Sequence, residues 1–169
     1  SSTRALADIT TKHGANYSAS AVGEVNVVNM MKATNAVIGG EGNGGIILPE
    51  LHYGRDALVG IAIMLTHLAN DGRTMSELKA SYPPYKIVKD RLQLTKEMDV
   101  DGILKAVETK FKDERVNTID GVKIDFKDGW VHLRKSNTEP IIRIYSESKD
   151  IATATALGLS VKNTVLELI

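Results

Sequence analysis

Tyr82-Pro83-Pro84-Tyr85 constrains this chain more than any other four residues. Two adjacent prolines continue neither a helix nor a central strand ladder, and the residue before each is pushed into extended backbone. The break falls near the middle of 169 residues, and the pattern differs on its two sides. Asp71-Gly72 and the capping-box sequence Thr74-Met-Ser-Glu77 precede it, so a helix stop and one short helix lead into it. Residues 73–85 therefore read as a linker between a domain at 1–72 and a domain at 86–169.

Helix and strand patterns alternate through the first half. Thr3 to His13 and Glu24 to Ala33 read as helices, Asn16 to Val22 and Asn35 to Gly39 as strands, and Asp56 to Asn70 as a helix apolar enough to pack on more than one side. This predicts an α/β domain, incomplete, with a mixed sheet and flanking helices. The second half reads as a strand at Lys86 to Leu94 and an amphipathic helix at Asp99 to Lys112. Short strands follow around Val116–Ile119 and Val122–Phe126, then two strands within Trp130 to Tyr145 and a closing helix from Asp150 to Leu168. Helices at both ends of an antiparallel meander predict a small α+β domain with its helices on one face.

Balanced charge (21 basic and 21 acidic residues) leaves no basic stripe for nucleic acid. With no cysteine there is neither a disulfide framework nor a zinc-finger site. The four histidines lack metal-ligand spacing, and the longest apolar run, Ala57 to Leu65, is too short to span a bilayer. A cytoplasmic protein is expected.

Two segments carry chemistry. In Arg134-Lys-Ser-Asn-Thr-Glu-Pro-Ile-Ile-Arg143 two guanidinium groups bracket Ser136, Asn137 and Thr138. An Arg fork fits two phosphate oxygens at once, while hydroxyl, amide and turn N–H groups fill the rest. Each charge-assisted bond contributes roughly 1.5–3 kcal/mol. Val131 and Leu133 share one strand face, as do Ile142 and Ile144. If those faces are buried, Arg134 and Arg143 leave the sheet on the same side. Against phosphate stands Glu139, and the sequence also fits an ordinary polar hairpin loop.

The second segment is Gly39-Gly40-Glu41-Gly42-Asn43-Gly44-Gly45. Residues 40–45 fit the dinucleotide fingerprint, but that motif needs a helix opening directly after it, and here Ile46-Ile-Leu-Pro-Glu50 follows. A carboxylate and an amide on a tight glycine loop suit sugar hydroxyls better, with Glu41 accepting and Asn43 donating and accepting. A purely structural turn is the plain alternative.

Arg-x-Ser-Asn-Thr-Glu-Pro-x-x-Arg resembles the phosphate-binding loop of the α-D-phosphohexomutases, the phosphoglucomutase, phosphomannomutase and phosphoglucosamine mutase superfamily. The glycine loop resembles that family's sugar-binding loop, Gly-Glu-x-Ser-Gly-His, with Asn43 in place of Ser and Gly45 in place of His. The resemblance spans the chain. The first half is similar to the third of four domains, lacking its first strand, and the second half to the fourth.

It implies an isomerase of carbohydrate metabolism, working through a phosphoserine and a bisphosphate intermediate. Arg134, Ser136, Asn137, Thr138 and Arg143 would grip the distal phosphate, and Glu41 and Asn43 would read the sugar. It implies Mg²⁺ bound outside this chain, and as partners a glucose, mannose or glucosamine phosphate and the N-terminal domains of the same protein. It also implies that closure about residues 70–85 unites the two sites. No serine loop or Asp-rich metal loop of the family's pattern occurs here, so no catalytic or metal-binding residue is assigned and the fragment is expected to be inactive alone. The alternatives are a nucleotide-binding α/β domain using Gly40–Gly45, or a non-catalytic phosphate-binding module.

Overall fold

The computed structural model describes residues 2–95, 98–136 and 139–169. The chain divides into two compact units, 1–83 and 84–169.

Unit 1 runs α1 (Ala5–Lys12), α2 (Glu24–Thr34), β1 (Gly39–Gly40), β2 (Ile46–Ile47), α3 (Ala57–Asp71) and α4 (Met75–Ala80). Its helices begin and end where local chemistry dictates. Asp56 caps α3 by accepting from the amides of Leu58 (2.9 Å) and Val59 (3.0 Å), which satisfies two of the helix's orphan donors. Gly72 ends α3 in the left-handed region at φ 77°, as glycine does most readily. Thr74 and Glu77 form the expected capping box of α4.

The expected strands at 16–22 and 35–39 are not formed. Residues 15–21 are irregular, because a strand needs a neighbour for its ladder and none pairs with them among the described residues. Asn35 instead turns left-handed (φ 51°) to close α2, and the Ala36 amide bonds back to the Met31 carbonyl at 3.0 Å. That leaves Val37 and Ile38 exposed and only Gly39–Gly40 in the strand. Strand β1 pairs antiparallel with β2, Gly40 opposite Ile46.

Helix α3 also differs from expectation, since none of its residues is buried and Leu58 is 77% exposed. Its composition makes a helix, but burial depends on what lies beside it, and within unit 1 its main contact among the described residues is with the short strand β2. His67 is exposed on it.

Unit 2 runs β3 (Lys86–Gln93), α5 (Val100–Lys110), β4 (Arg115–Asn117), β5 (Val122–Phe126), β6 (Gly129–Lys135), β7 (Ile141–Ser148) and α6 (Ile151–Leu166). The five strands form one antiparallel sheet in the order β3-β7-β6-β5-β4. Leu92, Ile142, Ile144, Val131, Leu133, Val122 and Ile124 cluster with Ile103, Leu104 and Val107 of α5 and Val161 and Val165 of α6. Strand period 2 and helix period 3.6 thus meet in a single core. Asp99 and Asp150 cap the two helices.

With that face buried, the odd-numbered residues of β3 and β7 and the even-numbered residues of β6 project from the other. Trp130 is a buried sheet residue on that side, its Nε1 donating to Glu147 Oε1 at 2.7 Å. Among the described residues no helix is long and apolar enough to cross a membrane.

Candidate functional site

Arg134 and Arg143, the two arginines of the phosphate-loop candidate, stand on the face of the unit 2 sheet opposite its core. Arg134 of β6 lies directly opposite Arg143 of β7 in the ladder, so the two side chains leave the same face, as the alternation of their strands predicted. Arg134 is held in place. Its Nη1 donates to Asp120 Oδ2 at 3.2 Å, and the Nε2–H of His132, its neighbour on that face, donates to the Asp120 carbonyl at 2.5 Å. His132 is buried, and that burial pushes its pKa below 6.5, so the ring is neutral beside the guanidinium.

Gly121 lets the Asp120 turn approach. Its φ is +74°, and a Cβ there would meet the Leu133 carbonyl oxygen and stand 3.1 Å from the Arg134 Cα.

The loop's shoulders are also fixed. The Ser136 amide donates to the Ile141 carbonyl at 3.1 Å, and Ser136 is buried, at 8% exposure. The Pro140 carbonyl accepts from the Leu94 amide (2.9 Å) and from Gln93 Nε2 (3.2 Å). Lys135 Nζ donates to Asp101 Oδ2 at 3.0 Å. Asn137 and Thr138 lie outside the described residues. Glu139 is exposed, and no ion pair of its carboxylate is seen among the described residues.

The structure brings a third cation to this row that the sequence reading did not single out. Arg91 of β3 is directly opposite Arg143 from the other side.

In unit 1 the glycine loop is a hairpin turn between β1 and β2. The Glu41 amide donates to the Gly45 carbonyl (3.1 Å) and the Gly44 amide to the Glu41 carbonyl (3.1 Å), with Gly44 at φ +95°. A strand, β2, follows the loop, and the next helix starts only at Ala57. The strand–loop–helix context that a dinucleotide fingerprint requires is therefore absent, which removes the observation behind the nucleotide-binding alternative.

Glu41 Oε1 accepts from the Gly23 amide at 3.0 Å, so this carboxylate braces the loop against the start of α2. Asn43 Oδ1 accepts from the Gly45 amide at 3.1 Å. Asn43 lines an open cleft of about 700 Å³ together with Glu24, Gly45, Arg55 and Asp56; Glu41 is not among the lining residues.

Arg55 and Glu24 are additions of the structure. Arg55 Nε donates to Glu24 Oε2 at 2.7 Å, and its amide donates to Oε1 at 3.3 Å. A Cβ on residue 45 would lie 2.7 Å from Arg55 Cδ. Arg55 thus occupies the space that a side chain at position 45 would need. His52 and Tyr53 belong to the surface turn beyond. The Gly54 amide donates to His52 Nδ1 (3.0 Å), and Nε2–H therefore donates to Asp56 Oδ2 (3.2 Å). Among the described residues no three His, Asp or Glu side chains gather as metal ligands.

Comparison with known proteins follows the same division. The profile of the phosphoglucomutase/phosphomannomutase α/β/α domain III matches residues 1–85, and that of the C-terminal domain matches 87–161. The chain is 39% identical over 150 residues to a phosphoglucomutase/phosphomannomutase of Thermococcus kodakarensis, covering 85% of this chain and 32% of that protein. It is 40% identical over 146 residues to a phosphoglucosamine/phosphogalactosamine mutase of Sulfurisphaera tokodaii, again covering 85% and 32%.

Among solved structures, a phosphoglucomutase/phosphomannomutase family protein of Burkholderia thailandensis superposes with a TM-score of 0.78 at 26% identity. It covers 96% of this chain and 35% of that one. The N-acetylphosphoglucosamine mutase of Aspergillus fumigatus, solved with GlcNAc-6P and magnesium, shares the fold at a TM-score of 0.57 and 14% identity, over 95% of this chain and 38% of that one. The chain therefore spans about a third of the length of these relatives. Matched by both profiles, it belongs to the phosphoglucomutase/phosphomannomutase family and comprises that family's domain III and C-terminal domain.

Proposed function

We propose that this chain supplies the sugar-reading and phosphate-gripping parts of a phosphohexomutase, an isomerase that interconverts a hexose 1-phosphate and the corresponding 6-phosphate. In this reading a phosphoserine elsewhere in the longer protein gives its phosphoryl group to the hexose phosphate. The bisphosphate then turns over and returns the other phosphoryl group to the serine. Such transfer depends on positioning and charge stabilisation. Arg134, Ser136 and Arg143, with Asn137 and Thr138 of the same loop, hold the phosphate that is not reacting. Asn43 and Glu41 read sugar hydroxyls.

The substrate class is a glucose, mannose or glucosamine phosphate, the setting is cytoplasmic, and the N-terminal domains of the same protein are the partners. Magnesium belongs to those domains, and no step here runs through it.

The observation that carries this reading is the opposed pair Arg134–Arg143 beside Ser136. Of the two, Arg134 alone has a carboxylate partner among the described residues. Like charges directly across a ladder are unfavourable, and a dianionic phosphate removes that conflict.

Titrating the ¹⁵N-labelled chain with glucose 6-phosphate is expected to move amide signals between Arg134 and Arg143, and unmoved signals there would refute the assignment. In a coupled mutase assay the purified 169-residue chain is expected to show no turnover of glucose 1-phosphate, because the nucleophile is proposed to lie outside it. Turnover would overturn that part of the proposal.

A further inference from the structure

We infer that Arg91 is a third guanidinium of the phosphate site, a substrate-positioning residue contributed by the edge strand β3. The inference rests on the reading of the Arg134–Arg143 loop as a phosphate grip.

Its basis is register. Strand β7 lies between β3 and β6, and its Arg143 is directly opposite Arg91 on one side and Arg134 on the other. In an antiparallel sheet, residues directly opposite each other leave the same face. Arg91, Arg143 and Arg134 therefore form one row across three adjacent strands. Neighbouring strands are about 4.8 Å apart, so the outer two α-carbons are roughly 10 Å apart. Long Arg stems at that separation reach a single tetrahedral anion from both ends of the row.

The charge around the row is one-sided. Toward the loop, the next residues on this face are Gln93, Ile141 and Ser136. Away from it they are Lys89, Tyr145 and His132. None of the six is a carboxylate. Asp120 pairs with Arg134, and among the described residues no ion pair of Arg91 or Arg143 is seen. Lys89 adds a further cation, seated over the Tyr145 ring at 5.4 Å.

Three guanidinium groups side by side oppose folding rather than assist it. An anion at the row converts that cost into affinity, with Arg as the residue suited to share phosphate oxygens between forks. Strand β3 is also anchored to the loop itself, since the Leu94 amide and Gln93 side chain both bond the Pro140 carbonyl. Arg91 is thus carried by the same rigid element that fixes the loop's far shoulder.

The test is a titration of the ¹⁵N-labelled 169-residue chain with inorganic phosphate and with glucose 6-phosphate, at fixed ionic strength, for wild type, Arg91→Gln, Arg91→Lys and Arg115→Gln. Arg115 is exposed on β4 at the opposite edge of the sheet and controls for loss of one positive charge. Wild type is expected to shift amides at residues 91, 134–136 and 141–143. Arg91→Gln is expected to bind both probes about tenfold more weakly, Arg91→Lys to recover part of that loss, and Arg115→Gln to match wild type. If wild type binds at the loop and Arg91→Gln binds equally well, the role of Arg91 is refuted while the phosphate loop stands. Equal weakening by Arg115→Gln reduces the effect to net charge and also refutes it. If wild type binds neither probe, the loop reading and this inference fall together.

Discussion

Arg134 and Arg143 occupy equivalent ladder positions but respond differently to removal. Arg134→Gln leaves Asp120 without its cation, so it is expected to weaken both stability and phosphate binding. Arg143 has no carboxylate partner among the described residues and sits between two other guanidinium groups. Arg143→Gln is therefore expected to weaken glucose 6-phosphate binding at least about tenfold while leaving the melting temperature unchanged or slightly raised; calorimetry measures both, and wild-type affinity would exclude Arg143 from the site. His132 carries a pH prediction. Burial holds its folded-state pKa below the unfolded value of 6.5, so between those values the unfolded chain binds more protons. Stability is then full above 6.5 and declines as pH falls through 6.5 toward the folded pKa. Lys123 and Tyr145 are its cross-strand neighbours, with Arg134 and the Asp120 turn beside it. Urea midpoints at about pH 5 and pH 7 should differ more for wild type than for His132→Gln; equal differences would exclude His132 as the source. Gly45 carries the third. Its backbone does not demand glycine, whereas Gly44 at φ +95° does, so Gly45→Ala is expected to retain the fold but drive Arg55 off Glu24. The lost pair is exposed and contributes less than about 1 kcal/mol. An unchanged Arg55 Hε resonance would show that the stem does not fill that space.

Local elements were legible in the sequence because their causes are local. The capping box of α4, the starts of α5 and α6 near Asp99 and Asp150, and the period-2 runs of β6 and β7 all signal within a few residues, and all occur where expected. Features set by distant partners were not. The pairing of β3 with β7 places Arg91 opposite Arg143, a residue far along the chain, so nothing near Arg91 announced that it completes a row of three. Arg55 was equally silent, since its meaning comes from Glu24 on another element and from the absent side chain of Gly45. The failed strands at 16–22 and 35–39 have the same origin, for alternation creates a strand only where a neighbour supplies the ladder. Within the sheet, Gly121 is the element-scale test. It takes φ +74° and lies against the β6 backbone, so Gly121→Ala combines a left-handed penalty of roughly 1–2 kcal/mol with a backbone clash. It is expected to lower the melting temperature and, by displacing the Asp120 turn, to loosen Arg134. A variant as stable as wild type would mean that the turn is not braced against β6.

At the scale of the whole chain the two units differ in how much they bury. Among the described residues, Ala5, Met31, Ile47 and Leu78 are the buried apolar residues of unit 1, while unit 2 has sixteen. Burial of apolar area is the dominant favourable term in folding, and local opening is cheapest where buried contacts are few. Unit 2 is therefore expected to hold the slowest-exchanging amides, in β6, β7 and the Val161–Val165 turn of α6, whose side chains meet in the core. Helix α3 is as long and regular as a stable helix needs to be, yet it buries none of its residues, so its amides are expected to exchange among the first of any helix. Capping by Asp56 and Gly72 fixes where α3 begins and ends, but packing rather than propensity supplies most of a helix's stability in a protein. Hydrogen exchange followed by mass spectrometry separates the two outcomes directly. Peptides from α3 should saturate well before peptides from β7 under the same conditions, and equal protection across the two units would show that the core of unit 2 does not set the stability of the chain.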